Sequence, residues 1–300
     1  MANLYQYQSS NIHRTWLLFV AFFVVVVGIG YVFSLAYNDR SFIVFAIIFT
    51  IIYSFIGYYS SASIALALAR ATPIEQKDNP TLWHVVENLC IASGLPMPKV
   101  YITPERQINA FATGRDKEHA AIAVTAGALE RLDKTELEGV LAHELSHVGN
   151  RDILVSTIAA VLAGIITLLA DVFLRSLFWG GMGSRRSRDN EGGEAFFLLA
   201  IALSILAPIG TALIQLAISR RREALADASG ALLTRYPEGL ISALRKIAAD
   251  QTPMATAKDS TAHMWLDNPF KGNQVSWWHK IWMTHPPIEE RIKALQQISV

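Results

Sequence analysis

A short motif near the middle of the chain has the residue types and spacing of a metal site. His143, Glu144 and His147 form the pattern H-E-x-x-H. Residues four apart lie on one face of a helix, so both imidazoles can bind one metal ion. Zinc lowers the pKa of bound water from about 15.7 toward about 7, and the adjacent carboxylate can take the water's proton. The motif therefore predicts metal-dependent hydrolysis, although a match this short also fits two solvated histidines.

The sequence also marks the helix that must carry this motif. Asp133 and Glu136 form a D-x-x-E capping box, which is typical of a helix start. Apolar residues then recur at helical spacing, at Leu137, Val140, Leu141 and Leu145. We therefore predict a helix that begins near residue 133 and continues into the apolar stretch that starts at Ile153.

A hydrolytic zinc site needs three protein ligands and one open position, and Glu223 is our candidate for the third ligand. Glu223 and Asp227 lie four residues apart in Arg222-Glu-Ala-Leu-Ala-Asp227. This spacing predicts a second helix with both carboxylates on one face. Glu223 can then bind the metal while Asp227 holds the free ring N–H of a ligand imidazole. Ordinary surface charges would have the same spacing, so that alternative stays open.

Composition groups the chain with membrane proteins that carry a substantial polar part. Of its 300 residues, 52% are hydrophobic and 17% are charged, against about 25% charged in typical soluble domains. The net charge of +1 gives no electrostatic indication of a nucleic-acid partner. Cys90 is the single cysteine, which excludes an internal disulfide and a cysteine-rich metal site. Its place in an apolar helical pattern predicts a core residue.

Four apolar stretches are candidates for membrane helices, since a bilayer core of about 30 Å needs roughly 20 apolar residues. They cover Trp16–Tyr37, Phe42–Tyr59, Ile153–Trp179 and Ala195–Ile218. The third contains Asp171 and Arg175, and it can span the bilayer if Asp171 lies near an end. If the third and fourth stretches both span, the chain crosses twice between His147 and Glu223 and returns to the same face; if neither spans, it stays on that face. Only a single crossing would separate the ligands, so the three-ligand site is topologically possible.

The expected fold is mainly α with a small β-sheet, in which integral membrane helices join a zincin-like H-E-x-x-H metalloprotease domain. Two β-leaning runs, Lys99–Ile102 and Ala120–Thr125, are predicted to pair. The predicted parts are residues 1–60, an N-terminal transmembrane hairpin; 61–152, the first catalytic part with the H-E-x-x-H helix; 153–218, the third and fourth apolar helices around a flexible loop at 180–194; and 219–300, the second catalytic part with the third ligand.

Four motifs, taken together and in order, resemble the HtpX-type bacterial membrane metalloproteases, which are related to the CAAX prenyl proteases. They are Asn109-Ala-Phe-Ala-Thr-Gly114, His143-Glu-Leu-Ser-His147, Arg222-Glu-Ala-Leu-Ala-Asp227 and Thr284-His-Pro-Pro-Ile-Glu-Glu-Arg291. The resemblance covers most of the chain. It implies a membrane endopeptidase with one zinc ion per chain. It also implies His143, His147 and Glu223 as the zinc ligands, with Glu144 as general base and Asp227 holding a ligand imidazole.

The resemblance adds two positions that the spacing alone does not single out. Asn109 and His285 match residues that contact substrate or steady the tetrahedral oxyanion, and Ala110–Thr113 match an edge strand that pairs with an extended peptide. From the residues alone, Asn109 fits the cap of a turn and His285 fits a packed loop residue. One departure is Ala226, where some relatives carry a histidine.

The resemblance further implies a multi-pass protein of the bacterial inner membrane, with its active site facing the cytoplasm and a role in membrane-protein quality control. Its expected partners are the lipid bilayer and polypeptide substrates, above all membrane proteins, and no nucleic acid. Arginines near the span ends favour this orientation modestly. The inner ones are Arg14, Arg70, Arg151 and Arg220 to Arg222, and the outer ones are Arg40, Arg185, Arg186 and Arg188.

A cluster of tryptophans suggests that the cleft lies near the membrane surface, since this side chain favours bilayer interfaces. The cluster comprises Trp265, Trp277, Trp278 and Trp282. A tryptophan-rich core of the soluble part is the alternative. Two other functions also remain as alternatives: a membrane scaffold or transporter with a structural zinc site, and a peptidase that acts on prenylated tails. Only four apolar stretches argue against the large enclosed chamber of the latter.

Overall fold

The computed structural model describes residues 4–183, 220–258, 260–271 and 286–298. The fourth apolar stretch, most of the predicted loop at 180–194, and His285 lie outside the described residues. The helices are α1 (Leu4–Tyr37), α2 (Ser41–Leu68), α3 (Pro80–Ser93), α4 (Ala126–Arg131), α5 (Lys134–Gly149), α6 (Asp152–Gly183), α7 (Arg220–Thr234), α8 (Pro237–Ala249) and α9 (Ile288–Leu295). The strands are β1 (Thr72–Pro73), β2 (Lys99–Thr103), β3 (Ala110–Gly114) and β4 (Ala120–Thr125), and Ala262–Met264 form a short 3-10 helix.

Helices α1 and α2 pack against each other as a hairpin, and α2 continues past residue 60 to Leu68. Among the described residues, Asn11–Leu35 and Ser41–Leu68 are long and apolar enough to cross a membrane, and α5 with the start of α6 could count as a third, bent span. Large apolar side chains such as Phe45 and Val24 are more than 60% exposed on the hairpin. A surface of this kind is stable when lipid covers it.

The helix that carries the H-E-x-x-H motif does not continue into the third apolar stretch, and that prediction was wrong. Helix α5 ends at Gly149, and α6 begins at Asp152 at an angle of 84° to it. Arg151, between the two helices, has the left-handed φ of 60° that this sharp turn requires. Because of this bend, Asp152, the first residue of α6, lies close to the H-E-x-x-H motif.

The start of α6 packs against the hairpin rather than facing lipid. Leu18 and Phe22 of α1 are fully buried together with Ile158 and Leu162 of α6 in one apolar cluster. Burying side chains of this size contributes about 1.5–3 kcal/mol each. The α1–α2 hairpin and the start of α6 therefore pack together as one unit.

The sheet is small and mixed, with the strand order β1-β2-β4-β3. The predicted pairing of the two β-leaning runs is confirmed: β2 and β4 are parallel, with Lys99 opposite Ala121. Strand β3 pairs antiparallel with β4 and forms one edge of the sheet. All five of its residues are nonetheless buried, so other parts of the chain cover this edge.

The soluble core holds α5 at its centre, between α3, α7, α8 and the sheet. The predicted capping box at Asp133 and Glu136 is confirmed, with both hydrogen bonds present. Leu141 and Leu145 on α5 are completely buried. Cys90 on α3 is 4% exposed, which confirms it as a core residue. Glu144 and both histidines of the motif thus project from a helix that is fixed along its length.

One tryptophan of the predicted interfacial cluster is in the core. Trp265 is 2% exposed and packs edge-on against Phe111 of β3, with ring centroids 4.6 Å apart. For Trp265, the structure therefore supports the alternative, a tryptophan in the core. Trp277, Trp278 and Trp282 lie outside the described residues.

The close approach of α7 to α5 depends on Gly230. A Cβ at this position would lie 3.0 Å from His143 N and 3.2 Å from the Ala142 carbonyl carbon. Gly230→Ala should therefore push α7 away from α5, destabilise the fold by about 1–3 kcal/mol, and displace Glu223 from the histidines. Thermal unfolding and zinc titration of the purified protein would measure both effects.

Gly149→Ala is the matched control for this substitution. Its Cβ would meet only Leu95 side-chain atoms at 3.8 Å or more, an ordinary contact. Alanine is also the better helix former by up to about 1 kcal/mol. Equal losses in the two variants would contradict the assigned role of Gly230.

Candidate metal centre

Three side chains from two helices converge on one point. His143 and His147 come from α5 and Glu223 comes from α7, with their ligand atoms within 4.8 Å of one another. The two Nε2 atoms are 3.2 Å apart. Glu223 carboxylate oxygens lie 3.8 Å from His143 Nε2 and 3.7 Å from His147 Nε2. Ligands about 2.0–2.1 Å from a tetrahedral zinc ion are roughly 3.3 Å apart, so this spacing fits zinc.

A buried carboxylate orients each imidazole. Asp227 Oδ1 lies 2.9 Å from His143 Nδ1, and Asp152 Oδ2 lies 3.0 Å from His147 Nδ1. An ionised carboxylate can only accept, so each Nδ1 must be the donor. Both Nε2 atoms are then free of protons in the neutral rings and face the same point. This is the usual arrangement around histidines that bind a metal.

Arg291 fixes one of these carboxylates from the C-terminal helix α9. Its Nε and Nη2 atoms donate to the two oxygens of Asp227, at 2.9 and 2.7 Å. Burial would raise the pKa of Asp227, but the charge of Arg291 and the hydrogen bond from His143 hold it well below its usual range. Asp227 therefore stays ionised, and the pair links α9, α7 and α5 around His143.

The buried charges around the cluster favour a divalent cation. Six charged side chains within it are each less than 10% exposed: Glu144, Asp152, Glu223 and Asp227 are negative, and Arg222 and Arg291 are positive. With neutral imidazoles this set carries two net negative charges. Buried charge without compensation is strongly unfavourable. A bound Zn²⁺ ion would neutralise the set, so the donor atoms and the local charge both fit this metal.

The cleft at the metal cluster opens between β3 and a covering segment. We call residues 260–268 the strap; residue 259, just before it, is not described. Strap side chains His263 to Leu266 line the cleft opposite Glu144 and Ala112. Leu266 N donates to the Ala110 carbonyl oxygen at 3.0 Å, so the strap pairs with the edge of β3. The strap therefore covers the start of this edge, while α5 and α6 also pack against β3.

Asn109 holds the strap in place. Its Nδ2 atom donates to the Asp267 carbonyl at 2.9 Å, and its Oδ1 atom accepts from Asp267 N at 3.2 Å. It is 1% exposed and is not among the residues that line the cleft. The structure thus brings His143, Glu144, His147, Glu223 and Asp227 together, whereas Asn109 lies behind the strap. His285 lies outside the described residues.

Comparison with known proteins identifies the family to which this arrangement belongs. The family model described as peptidase family M48 matches residues 76–299. A protease HtpX homolog of Caldanaerobacter subterraneus subsp. tengcongensis is 46% identical, over 99% of this chain and 98% of that protein. The chain belongs to peptidase family M48.

Other M48 relatives also match along almost the whole length. Protease HtpX homologs of Tropheryma whipplei and Lactobacillus helveticus are each 44% identical over 98% of this chain, covering 98% and 100% of their own lengths. A crystal structure of S. mikatae Ste24p aligns with a TM-score of 0.48 and 18% identity, over 90% of this chain and 62% of that chain. That structural likeness is too low to carry an argument.

Family membership, the two apolar helices and the three-residue cluster identify a membrane-bound metalloprotease. The resemblance to HtpX-type proteins is confirmed, as is the mainly helical fold with a small sheet. The alternative of a scaffold or transporter with a structural zinc site is not favoured.

Two residues of this M48 site were missed by sequence reasoning. Asp152 had one available signal, since it is an acidic residue directly before the long apolar run that begins at Ile153. Arg291 was part of the motif Thr284-His-Pro-Pro-Ile-Glu-Glu-Arg291 but had no role assigned to it. The contact of Asp152 with His147 depends on the bend between α5 and α6, and the contact of Arg291 with Asp227 depends on how two distant helices meet. Helical periodicity reports neither.

Zinc binding by the metal-free protein should strengthen as the pH rises. Burial would lower the pKa of His147, but the hydrogen bond to Asp152 and the charge of Glu223 raise it to about 9. Because zinc must displace this proton, apparent affinity should rise about tenfold per pH unit from pH 7 and level off near pH 9. Competition with a chromophoric chelator at buffered free zinc would measure the profile.

Asp152→Asn supplies the internal check on this pH profile. Removing the carboxylate lowers the pKa of His147, so affinity should level off at a lower pH than in the wild type. An affinity that does not change with pH, or the same inflection in both proteins, would contradict the assignment.

Proposed function

We propose that this chain is a zinc-dependent endopeptidase of the bacterial cytoplasmic membrane that cuts membrane or misfolded proteins as part of quality control. One observation carries the proposal: a three-ligand cluster with Glu144 beside it lies in a cleft bordered by an edge strand. A structural zinc site is normally closed by four protein ligands, whereas a hydrolytic one leaves a position open. The described residues supply three ligands and a candidate base.

The proposed chemistry assigns one task to each side chain. His143, His147 and Glu223 would hold the zinc ion, which when bound acidifies water and polarises a peptide carbonyl. The Glu144 carboxylate accepts the proton of the attacking water and passes it to the nitrogen of the leaving amine. Asp152 and Asp227 keep both imidazoles in the tautomer that presents Nε2. The oxyanion role expected for His285 stays a prediction.

Substrate would bind as an added strand along β3. Within the segment Ala110–Thr113, Ala112 lines the cleft itself. Because Leu266 of the strap already donates to Ala110, an extended peptide must pair beyond this point or replace the strap. We infer that Asn109 positions the strap, and so acts on substrate entry rather than on the oxyanion.

We place the cleft on the cytoplasmic side. Arg70 and Arg151 lie at the ends of α2 and α6 that face the catalytic part, whereas Arg40 lies in the opposite turn of the hairpin. More arginines flank the catalytic side than the other, as the positive-inside rule requires. In a bacterium this orientation exposes the site to polypeptides that fail to insert or fold.

Glu144→Gln should abolish proteolysis while zinc stays bound. The substitution keeps the shape of the side chain but removes the proton acceptor, which is typically worth about 10²–10⁴-fold in rate. The assay is cleavage of a misfolded membrane protein in detergent, with zinc content measured on the same samples. The wild-type protein should be purified under chelation, which limits self-cleavage.

Glu138→Gln on the same helix is the matched control, since Glu138 is not among the residues that line the cleft. It should cleave like the wild type. Cleavage by Glu144→Gln would show that the base is assigned wrongly. Bound zinc without cleavage in the wild type, with spectra that indicate four protein ligands, would instead support the structural zinc site.

Single-cysteine labelling should show the orientation. Cys90 is buried, and burial raises the pKa of its thiol to about 11, so the native cysteine should react poorly with maleimides. Lys77→Cys in the exposed loop before α3 should react with an impermeant maleimide only in inverted membrane vesicles. Arg40→Cys in the hairpin turn should react only in intact spheroplasts. The reverse pattern would overturn the proposed topology.

A further inference from the structure

We propose that Asn11, on the membrane helix α1, is a positioning residue for the metal ligand His147 and acts through Asp152. This inference rests on the proposed zinc peptidase function and deepens it. Asn11 lies at the start of the first membrane span, near the catalytic part, one turn before the apolar stretch begins. It connects the hairpin to the site by hydrogen bonds and not only by apolar packing.

The connection consists of two consecutive hydrogen bonds. Asn11 Nδ2 donates to Asp152 Oδ1 at 2.7 Å, and His147 Nδ1 donates to Asp152 Oδ2 at 3.0 Å. The second proton on Asn11 Nδ2 reaches the Asn150 carbonyl oxygen at 3.1 Å, where α5 ends. The amide therefore joins α1, the end of α5 and the start of α6 at one point.

Asn11 determines how firmly Asp152 can hold the imidazole. A carboxylate bonded through one oxygen can still rotate, whereas bonds to both oxygens set the plane of the group. Arg222 Nη1 also lies near Oδ1, but at 3.7 Å it is beyond hydrogen-bonding distance. Because Asp152 is 3% exposed, water cannot readily replace the amide. Losing it would leave Oδ1 without its closest donor.

The packing of α1 holds this amide in place. Residues at helical spacing on one face of α1 are all 5% exposed or less: Asn11, Thr15, Leu18, Phe22 and Val26. The apolar members of this face pack against α6 in the cluster that contains Ile158 and Leu162. The polar end of the face thus comes to Asp152 on a fixed helix, and the hairpin becomes part of the support of the metal site.

A simpler role is that Asn11 only caps the end of α5 through the Asn150 carbonyl. Capping would stabilise the fold but leave the imidazole of His147 unchanged. The two roles differ in what they predict for zinc. Only the positioning role lets a change at Asn11 alter metal affinity and ligand geometry in protein that remains folded.

The experiment compares variants of the full chain in detergent or nanodiscs. Zinc affinity is measured by chelator competition, and ligand geometry by the visible spectrum of the Co²⁺-substituted protein. Asn11→Ala should weaken zinc binding about tenfold, the lower end of the effect of removing groups around metal ligands, and shift the Co²⁺ bands. Thr15→Val is the control, because among the described residues the Thr15 hydroxyl donates to the carbonyl of Asn11 within α1 and not to Asp152. It should bind zinc like the wild type.

A double-mutant cycle tests whether Asn11 acts through Asp152. Asp152→Ala should weaken zinc binding by up to about 100-fold, and adding Asn11→Ala should weaken it no further. Asn11→Leu keeps nearly the shape of the side chain but removes both N–H donors, so it should weaken zinc binding about as much as Asn11→Ala. This isosteric variant keeps the test valid if the alanine variant folds poorly.

Three results would overturn the inference. Asn11→Ala and Asn11→Leu could bind zinc as tightly as the wild type with unchanged Co²⁺ spectra. Asn11→Ala could weaken binding by the same factor with and without Asp152. Thr15→Val could weaken binding equally, which would assign the effect to helix packing. A wild-type protein that binds zinc and cleaves while these results hold leaves the proposed function intact, whereas failure of the wild type itself overturns both.

Discussion

Two hydrogen bonds from buried carboxylates to the Nδ1 atoms of His143 and His147 are the interactions on which the site depends. They fix the tautomer and direction of both rings, so that the two Nε2 atoms lie 3.2 Å apart. Neither carboxylate comes from the motif helix α5: Asp227 lies on α7 and Asp152 on α6. Helix α5 thus supplies both histidines, and α7 and α6 supply the carboxylates that orient them.

Each of these carboxylates is itself held by a residue from one end of the chain. Arg291 of α9 binds Asp227, and Asn11 of α1 binds Asp152. Each carboxylate thus has one supporting side chain, but Arg291 is charged and Asn11 is neutral. The guanidinium keeps Asp227 ionised, whereas the neutral amide orients Asp152 and leaves its charge available to His147 and Arg222. Residues near both ends of the described chain therefore support the same metal site.

This much buried charge links metal binding to folding. Four carboxylates and two guanidiniums in one interior region would be costly without a cation, because desolvation of charged groups exceeds what isolated pairs recover. A ligand that binds only the folded state stabilises it by mass action. The packing of α7 against α5 brings the negative groups together, so a bound divalent ion would stabilise that packing.

The local parts of this site were predictable from sequence, because they depend on spacing within single helices. The histidine pair, the capping box at Asp133 and the carboxylate pair of α7 all follow from helical periodicity. The sequence showed that α5 and α7 can lie on the same side of the membrane, but not that they meet. The contact of Asp152 with His147 could not be predicted, because it depends on the 84° bend between α5 and α6, where the sequence predicts a continuous helix.

Contacts between distant parts were harder still. Asn11 and Asp152 are 141 residues apart, and no periodicity relates them. Asn109 illustrates a different difficulty: the sequence marks its motif, but nothing in the sequence marks the strap that Asn109 holds. The strap has almost no regular secondary structure, apart from the short 3-10 helix, so the sequence contained little to mark it.

The strap bears on which polypeptides such a peptidase could cut. It occupies the Ala110 carbonyl, which an added strand would need, and it buries Trp265 against Phe111. Exchanging one main-chain hydrogen bond for another changes the free energy little, but exposing a tryptophan costs more. If a peptide replaces the strap, which is one of the two proposed binding modes, it offsets this cost only by supplying an extended backbone together with apolar side chains. Unfolded chains and displaced membrane segments can present both, which supports the substrates proposed above.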